Sequence, residues 1–288
     1  MQRNKTSDTT PTPTAVAAGG AATSTARAQS KAIKRQVREQ FGRTAQAYVE
    51  SAYHARGPDL ARLVELAEPR TTDRALDISA GGGHTALALA PRVAHVIASD
   101  LTPTMLAAAR VFLASRGVAN VAYVVADAEH LPFLDASFDL VTVRMAPHHY
   151  ADVRAATQEM ARVLQPDGRL VLIDSVASPD PALDAFVNAI ERRRDPSHVR
   201  SYTEREWRDL LGAAGLAISQ AEQQRTTIDF VDWTARSSMP AEACAALEHD
   251  MLAAPPAIRA SFAITEGEGH LLTWSCDLLV VRAMKPAG

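Results

Sequence analysis

Several kinds of sequence signal are absent from this chain, and each absence narrows its function. No apolar run approaches the roughly 18 residues that a membrane-spanning helix needs, and there is no signal-peptide core, so we expect no membrane span and a cytoplasmic location. The two cysteines, Cys244 and Cys276, form no C-x-x-C pair, which argues against a disulfide framework or a structural zinc site. With 5% aromatic residues and a net charge of −3, the chain lacks the basic character of a nucleic-acid-binding protein. A small-molecule partner is therefore favoured.

The composition that remains is that of an ordinary globular protein. At 288 residues, of which 47% are apolar, the chain can bury a core as one large domain. Residues 1–30 differ, because they are rich in Thr, Ala, Ser, Pro and Gly and have almost no large apolar side chains. Such a segment cannot bury enough surface to offset its ordering entropy, so we predict a disordered tail. A transit peptide is disfavoured, because no clear arginine-rich amphipathic pattern is present.

Helical periodicity follows this tail and predicts an N-terminal helical segment over residues 31–70. Apolar side chains recur every three or four residues on one face, at Val37, Phe41, Ala45 and Tyr48. Pro58 suits the start of a second helix that runs to Pro69. A stripe at this spacing is typical of core packing, but it also fits a lid over a ligand, which is the function we predict for residues 31–70.

Short apolar segments alternate with helical segments from residue 71 to residue 175. Five of them are largely β-branched and predict strands: Ala75–Ser79, His95–Ser99, Ala122–Ala126, Phe138–Val143 and Arg169–Asp174. Strands that alternate with crossover helices imply a parallel sheet covered on both faces, the doubly wound α/β class. Because such sheets bind ligands at the carboxyl ends of their strands, the informative residues should end strands. Residues 176–288 are less regular and are predicted to complete the same domain.

The segment D-I-S-A-G-G-G-H-T, residues 77–85, follows the first predicted strand. Three consecutive glycines at such a junction indicate that a ligand approaches the backbone closely. A dinucleotide would require G-x-G-x-x-G, but that template places Ser79, Gly81 and His84 on the glycine positions, so only one fits. The Asp77 carboxylate would also repel a pyrophosphate. S-Adenosylmethionine has no phosphate and is a sulfonium cation, so a nearby acid is tolerated or useful, while backbone N–H groups still meet its carboxylate.

The same segment resembles motif I of the class I S-adenosylmethionine-dependent methyltransferases, (D/E)-x-G-x-G-x-G. Asp77, Gly81 and Gly83 are in register with it, and Ser79 replaces the first glycine. The serine must either fit an ordinary β-region backbone or crowd the cofactor. The resemblance implies that the four residues surround S-adenosylmethionine.

Two further acids carry the resemblance, and each follows a predicted strand. Asp100, in V-I-A-S-D-L, matches the acid that binds both ribose hydroxyls, and Leu101 would then lie against the adenine. Asp127, in D-A-E-H-L-P-F, matches the residue that takes the adenine amino group, and the Ala128 N–H would meet the ring. Arg144, at the end of the fourth strand, is the remaining cofactor-binding candidate. Each acid alone also suits a turn or a strand end, but together with the glycine loop they form a much stronger signal.

The resemblance covers residues 36–174 and is greatest to the small-molecule branch that includes ubiquinone and menaquinone methyltransferases. R-D-P-S-H-V-R, at residues 194–200, also resembles a segment of uncharacterised bacterial methyltransferases of that branch. The family resemblance implies a Rossmann-like sheet of seven mostly parallel strands with helices on both faces. Two more strands are predicted, Thr226–Val231 and Leu271–Arg282, and the second would be the antiparallel last strand.

Two adjacent histidines follow the fourth predicted strand and are candidates for the chemistry. Methyl transfer needs alignment and no metal, but some acceptors must lose a proton as they attack. In relatives the second histidine of H-H-x-x-D tends to face the pocket, so His149 is the predicted base; alternatively it only bonds the backbone. Four further residues are candidates for the substrate pocket or lid: Tyr48, His148, His198 and Arg200.

These residues predict a methyltransferase that uses S-adenosylmethionine to methylate a small, aromatic or quinone-like acceptor. Residues 176–288 should supply the acceptor pocket and the final strands. A non-catalytic S-adenosylmethionine-binding or regulatory protein is the alternative, encouraged by Ser79. An NAD-dependent oxidoreductase is disfavoured by Asp77 and by the glycine spacing. Nucleic-acid methylation is also disfavoured, because no N-P-P-Y-like sequence is present for a flipped base.

Overall fold

The computed structural model describes residues 17–287, and its first helix begins earlier than predicted. Residues 1–16 of the expected disordered tail lie outside the described residues. Helix α1 starts at Ala17, so residues 17–30 are helical. This stretch is rich in alanine, the residue with the highest helix propensity, which favours a helix even where large apolar side chains are few.

Eleven α-helices are present in the described part of the chain. They are α1 (Ala17–Glu50), α2 (Ala52–Arg56), α3 (Pro58–Ala67), α4 (His84–Leu89), α5 (Pro103–Ser115), α6 (Val153–Val163), α7 (Pro181–Arg194), α8 (Glu204–Ala213), α9 (Phe230–Arg236), α10 (Ala241–Leu252) and α11 (Pro256–Ser261). The long N-terminal helix is interrupted at Ser51, whose side chain accepts a hydrogen bond from the His54 N–H and caps α2. Helix α3 then begins at Pro58, as predicted.

Nine strands form one sheet. They are β1 (Arg74–Ile78), β2 (His95–Asp100), β3 (Val121–Val125), β4 (Phe138–Arg144), β5 (Leu164–Ala177), β6 (Tyr202–Thr203), β7 (Ala217–Asp229), β8 (Thr265–Gly267) and β9 (His270–Met284). Seven strands follow the order β3-β2-β1-β4-β5-β9-β7, and the short strands β6 and β8 pair with β5 and β9. Strands β1 to β5 are parallel, whereas β9 is antiparallel to both of its neighbours. The predicted doubly wound, mostly parallel α/β sheet with an antiparallel last strand is confirmed.

Two strands differ by more than two residues from their predicted bounds. Strand β7 begins at Ala217 rather than at the predicted Thr226. It lies at the sheet edge, and its first half is polar and partly exposed, so the sequence there lacks the alternation of apolar and polar residues that indicates a strand. Strand β5 begins at Leu164 and includes the P-D-G sequence, where Asp167 has a φ of 60° and the pairing with β4 changes register.

The carboxyl ends of β1, β2 and β4 lie side by side. Ile78, the last residue of β1, pairs with Ser99 on β2 and with Val143 on β4. The loops after these strands therefore meet at one edge of the sheet, where doubly wound folds bind ligands. Helix α1 packs against α5 and α9.

Apolar clusters fill both faces of the sheet, and a third cluster lies beside it. The third is centred on Leu247, Trp233 and Trp274 and is built from α7, α9, α10 and β9. It gives the C-terminal helices their own core, which positions them beside the carboxyl edge. Among residues 17–287, no helix has the length and apolar character needed to cross a membrane.

Candidate active site

A cleft of about 920 Å³ opens at the carboxyl edge of β1, β2 and β4. Most of the predicted cofactor-binding residues line it: Asp77, Ser79, Gly81, Asp100, Leu101, Asp127, Ala128 and Arg144. Helix α1 forms the opposite wall with Lys34, Val37, Phe41 and Tyr48. The apolar stripe of this helix therefore lies where a lid would lie.

The three glycines of the loop have different neighbours. Gly81, with a φ of 54°, lines the cleft. A Cβ on Gly82 would lie 3.1 Å from the carbonyl oxygen of Tyr48, so this glycine allows helix α1 to approach the loop. A Cβ on Gly83 would lie 2.5 Å from Leu113 of α5, and Gly83 does not line the cleft. Gly83 is small because α5 packs against it, and its contact with the cofactor stays a prediction.

Ser79 adopts a backbone conformation that favours glycine. Its φ is 55°, in the left-handed region. This excludes the alternative that Ser79 fits an ordinary β-region backbone. Its Oγ lies 2.9 Å from the hydroxyl oxygen of Tyr150, and both residues line the cleft. The hydrogen bond between them offsets part of the cost of the strained backbone.

Two buried carboxyl groups lie on the floor of the cleft. The Thr142 hydroxyl donates to Oδ1 of Asp77 over 2.8 Å. Burial raises the pKa of Asp77 to about 7, and the nearby Asp100 carboxylate adds to that rise. Asp100 accepts hydrogen bonds from the N–H groups of Thr102 at 2.8 Å and Gly81 at 3.0 Å, while burial raises its pKa as well. A cationic ligand would stabilise both charges, so these residues fit a sulfonium cofactor with an ammonium group.

Lys34 connects helix α1 to the adenine-binding candidate Asp127. Its Nζ lies 2.7 Å from Oδ2 of Asp127 and 2.5 Å from Oε2 of Glu129. Glu129 also accepts hydrogen bonds from two backbone N–H groups before α6. The Asp127 side chain stays 28% exposed, so a ligand can still reach it. His130 lies beside both acids in a cluster that could hold a metal ion, but the Lys34 ammonium already lies between the two carboxylates and offsets part of their charge.

Arg144 reaches the cleft with a guanidinium that is already hydrogen-bonded. Its Nε donates to Asp59 over 2.5 Å, and its Nη2 donates to the carbonyl oxygen of His54 over 3.0 Å. Both side chains of the ion pair are almost completely buried. Arg144 therefore holds α2 and α3 against the end of β4, and it contributes positive charge to the cleft wall.

The hydrogen bonds of His149 determine which of its ring nitrogens carries the proton. Its Nδ1 lies 3.1 Å from the carbonyl oxygen of Ser197 and 3.2 Å from its Oγ, and that hydroxyl donates to Asp195 over 2.6 Å. Because both oxygens can only accept from the ring, Nδ1 carries the proton and Nε2 has a free lone pair. Burial, reinforced by the charge of His148, lowers the pKa of His149 to about 3. His149 is therefore a neutral proton acceptor, and its ring lines the cleft.

His148 differs from its neighbour because it is paired with an acid. Its Nδ1 lies 2.5 Å from Oδ1 of the fully buried Asp174. Burial alone would lower the pKa of His148, but the charge and hydrogen bond of Asp174 together outweigh it, so the pKa is raised. His148 therefore holds a proton more readily than an ordinary histidine, and its ring lies directly beside that of His149.

Two of the predicted pocket residues do not reach the cleft. His198 is buried, with its Nε2 2.9 Å from Oδ1 of Asn188, so it supports the loop behind the two histidines. Arg200 lies 3.1 Å from both Asp184 and Glu206, which joins α7 to α8. The polar groups of both residues are used within the C-terminal segment, so the structure gives no support to a contact with the acceptor, which stays a prediction.

A second cavity, which we call the side chamber, adjoins the cleft. Its volume is about 600 Å³. Five residues line both spaces: Phe41, Tyr48, His54, Met145 and His149. The rest of the wall includes Tyr53, Arg194, Trp233 and Arg236 from the flanking helices, together with His148. His149 thus lies between a space lined by the predicted cofactor-binding residues and a space lined largely by aromatic and cationic side chains, together with the acid Glu191.

Sequence reasoning missed several residues of this site. Lys34 lies on the same stripe as Val37 and Phe41, and Glu129 is the acid in D-A-E, so the sequence contained a signal for both. Ser197 lies in the R-D-P-S-H-V-R segment, although nothing in that segment indicates its bond to His149. Arg236 has no sequence signal, because it meets the site only through the packing of the C-terminal segment.

Comparisons with known proteins agree with this geometry. Residues 76–172 match the family model "Methyltransferase domain". The chain is 39% identical to the uncharacterized methyltransferase YcgJ of Bacillus subtilis, over 85% of this chain and 97% of that protein. The crystal structure of YcgJ superposes with a TM-score of 0.77 over 80% of this chain and 99% of that one. The demethylmenaquinone methyltransferase of Thermus thermophilus is 41% identical over 43% of this chain and 56% of that protein.

The matched region contains the glycine loop, the three strand-end acids and both histidines. The fold, the two acids beneath the cleft and the near full-length similarity to YcgJ lead to one assignment. The chain belongs to the class I S-adenosylmethionine-dependent methyltransferases.

Proposed function

We propose that this enzyme methylates a small aromatic or quinone-like acceptor that binds in the side chamber. The observation that carries the proposal is the position of His149 on the wall that the chamber shares with the cofactor cleft. An acceptor in the chamber and a cofactor in the cleft would meet at this wall. Tyr53 and Trp233 provide flat apolar surfaces on which a ring can stack.

The residues of the cleft have distinct functions in this proposal. Asp100 would bind the ribose hydroxyls, and Asp127 with the Ala128 N–H would bind the adenine. Asp77 would face the positively charged end of the cofactor, where its charge is stabilised. S-Adenosylmethionine supplies a methyl group on a positively charged sulfur, so the protein contributes mainly alignment and exclusion of water.

His149 would accept the proton of a hydroxyl acceptor. As the acceptor oxygen bonds to the methyl carbon, the carbon–sulfur bond breaks, its electron pair stays on sulfur, and the proton moves to Nε2. A histidine of low pKa accepts only when the oxygen has become acidic by forming that bond. Asp195, hydrogen-bonded to His149 through Ser197, would stabilise the charge that forms on the ring.

The experiment measures S-adenosylhomocysteine release with a panel of catechols, hydroquinones and phenolic acids. In His149→Gln, kcat should fall by about 100-fold or more, while the Kd for S-adenosylmethionine changes little. His249→Gln, on the exposed face of α10 and outside both cavities, serves as the control for loss of a histidine. A kcat of His149→Gln within twofold of wild type would contradict the function of His149. Cofactor binding without turnover of any panel member would instead favour the non-catalytic alternative.

A further inference from the structure

The side chamber contains an arginine whose charge is not matched. The guanidinium carbon of Arg236, at the end of α9, lies 4.9 Å from the centroid of the Tyr53 ring. Within residues 17–287 this guanidinium makes no hydrogen bond and no ion pair with another side chain. A guanidinium has five N–H donors, and a half-buried one that leaves them unused carries a desolvation cost that a cation–π contact offsets only in part.

The other charged groups around the chamber are already paired. Arg194 of α7 lies 3.1 Å from Glu191, donates to Ser237 over 2.8 Å and stacks on Trp233 at 5.4 Å. His148 is paired with Asp174, as described above. Asp232, one turn before Arg236 on α9, is exposed; its charge raises the pKa of Arg236, but the two side chains form no ion pair. Within residues 17–287, no acid therefore forms an ion pair or a hydrogen bond with Arg236.

The electrostatics of the chamber agree with the absence of a partner for Arg236. Burial lowers the pKa of Arg236, and the like charge of Arg194 lowers it further. Asp195 is held by Ser197 and lies 3.9 Å from Arg194, so it belongs to the Arg194 cluster. The chamber thus has one end, at Arg236, where an added negative charge would be stabilised.

We propose that the acceptor is an aromatic carboxylic acid whose carboxylate binds Arg236 and whose ring lies against the aromatic wall of the chamber. This inference rests on the proposed function and narrows it, because a neutral quinone would leave Arg236 without a partner. A planar guanidinium binds a carboxylate through two parallel N–H bonds, which selects for the anion and fixes its orientation. The ring would then extend from Tyr53 towards His149.

The test uses pairs of probes that differ only in charge. The protein is saturated with S-adenosylhomocysteine, and salicylate, para-hydroxybenzoate and phenylacetate are each titrated beside the corresponding amide. At least one acid should bind about 10- to 100-fold more tightly than its amide. This preference should disappear in Arg236→Gln and return in part in Arg236→Lys. Arg193→Gln removes an exposed arginine that pairs with Asp250 outside the chamber, so it should keep the preference.

Three outcomes would overturn the proposal: amides that bind as tightly as the acids, an acid preference that survives in Arg236→Gln, or no binding of any acid at millimolar concentration. Arg236 does not line the cofactor cleft, so Arg236→Gln should bind S-adenosylhomocysteine as the wild type does, which also shows that the variant is folded. Binding of S-adenosylhomocysteine to the wild type is measured before any probe is added. If the wild type does not bind it, that result contradicts the proposed function. The three outcomes above, in a protein that does bind it, contradict only the carboxylate proposal.

Discussion

Ser79 should respond to substitution in the opposite order to an ordinary loop residue. Where φ is negative, alanine is more stabilising than glycine by about 0.4–1 kcal/mol, because glycine has more freedom in the unfolded chain. At Ser79 the φ of 55° reverses this preference, since a side chain in the left-handed region costs roughly 1–2 kcal/mol. Both variants lose the hydrogen bond to Tyr150, whose net contribution is about 0.5–1.5 kcal/mol.

These terms predict two different results. Ser79→Ala loses the hydrogen bond and keeps the backbone strain, so its free energy of unfolding should fall by about 1–2 kcal/mol because the buried Tyr150 hydroxyl is left without its partner. Ser79→Gly loses the same bond but relieves the strain. Its free energy of unfolding should therefore stay within about 0.5 kcal/mol of wild type.

Urea denaturation without ligand measures both values. Tyr150→Phe is the matched control: in that background Ser79→Ala should cost little more, because the hydrogen bond is already gone. If Ser79→Ala is as stable as Ser79→Gly, or more so, the assignment of strain to this residue is refuted.

Two further predictions concern the lid and the cleft. Lys34→Met leaves Asp127 and Glu129 without their shared cation, so amide hydrogen exchange in α1 should become faster. The control Arg35→Met, at an exposed position on the same helix, should leave the exchange unchanged. Equal exchange rates in the two variants would contradict the conclusion that Lys34 holds α1 against the cleft. The raised pKa of Asp77, about 7, means that its carboxyl is mostly protonated at pH 6 and mostly ionised at pH 8, so S-adenosylmethionine affinity should rise roughly tenfold over that interval. Calorimetry at several pH values tests this, and a slope that persists in Asp77→Asn would refute it.

The fold was predictable because its signals are local. Short β-branched segments, each followed by a helical segment, specify a parallel sheet, and an acid after a strand falls at the carboxyl edge by topology alone. Asp77, Asp100 and Asp127 were located in this way, and all three line the cleft. The edge strand β7 was placed too short because its exposed face is polar.

The acceptor side was not predictable in the same way. His198 and Arg200 have the residue types of a binding site, but their partners, Asn188 and Glu206, lie within the C-terminal segment and occupy them. Arg236 resembles any surface arginine in the sequence. Only the packing of α9 against α2 places its guanidinium over the Tyr53 ring. Such contacts depend on tertiary packing, which the periodicity of apolar residues in the sequence does not predict.

The central claim is that the strand-end acids bind S-adenosylmethionine in the cleft, and titration calorimetry of wild type and Asp100→Ala tests it most directly. Wild type should bind the cofactor, and the variant should bind about 10- to 100-fold more weakly, because charge-assisted hydrogen bonds to the ribose contribute roughly 1.5–3 kcal/mol. Equal affinity of the two proteins, or no binding by wild type at millimolar S-adenosylmethionine, would contradict the account.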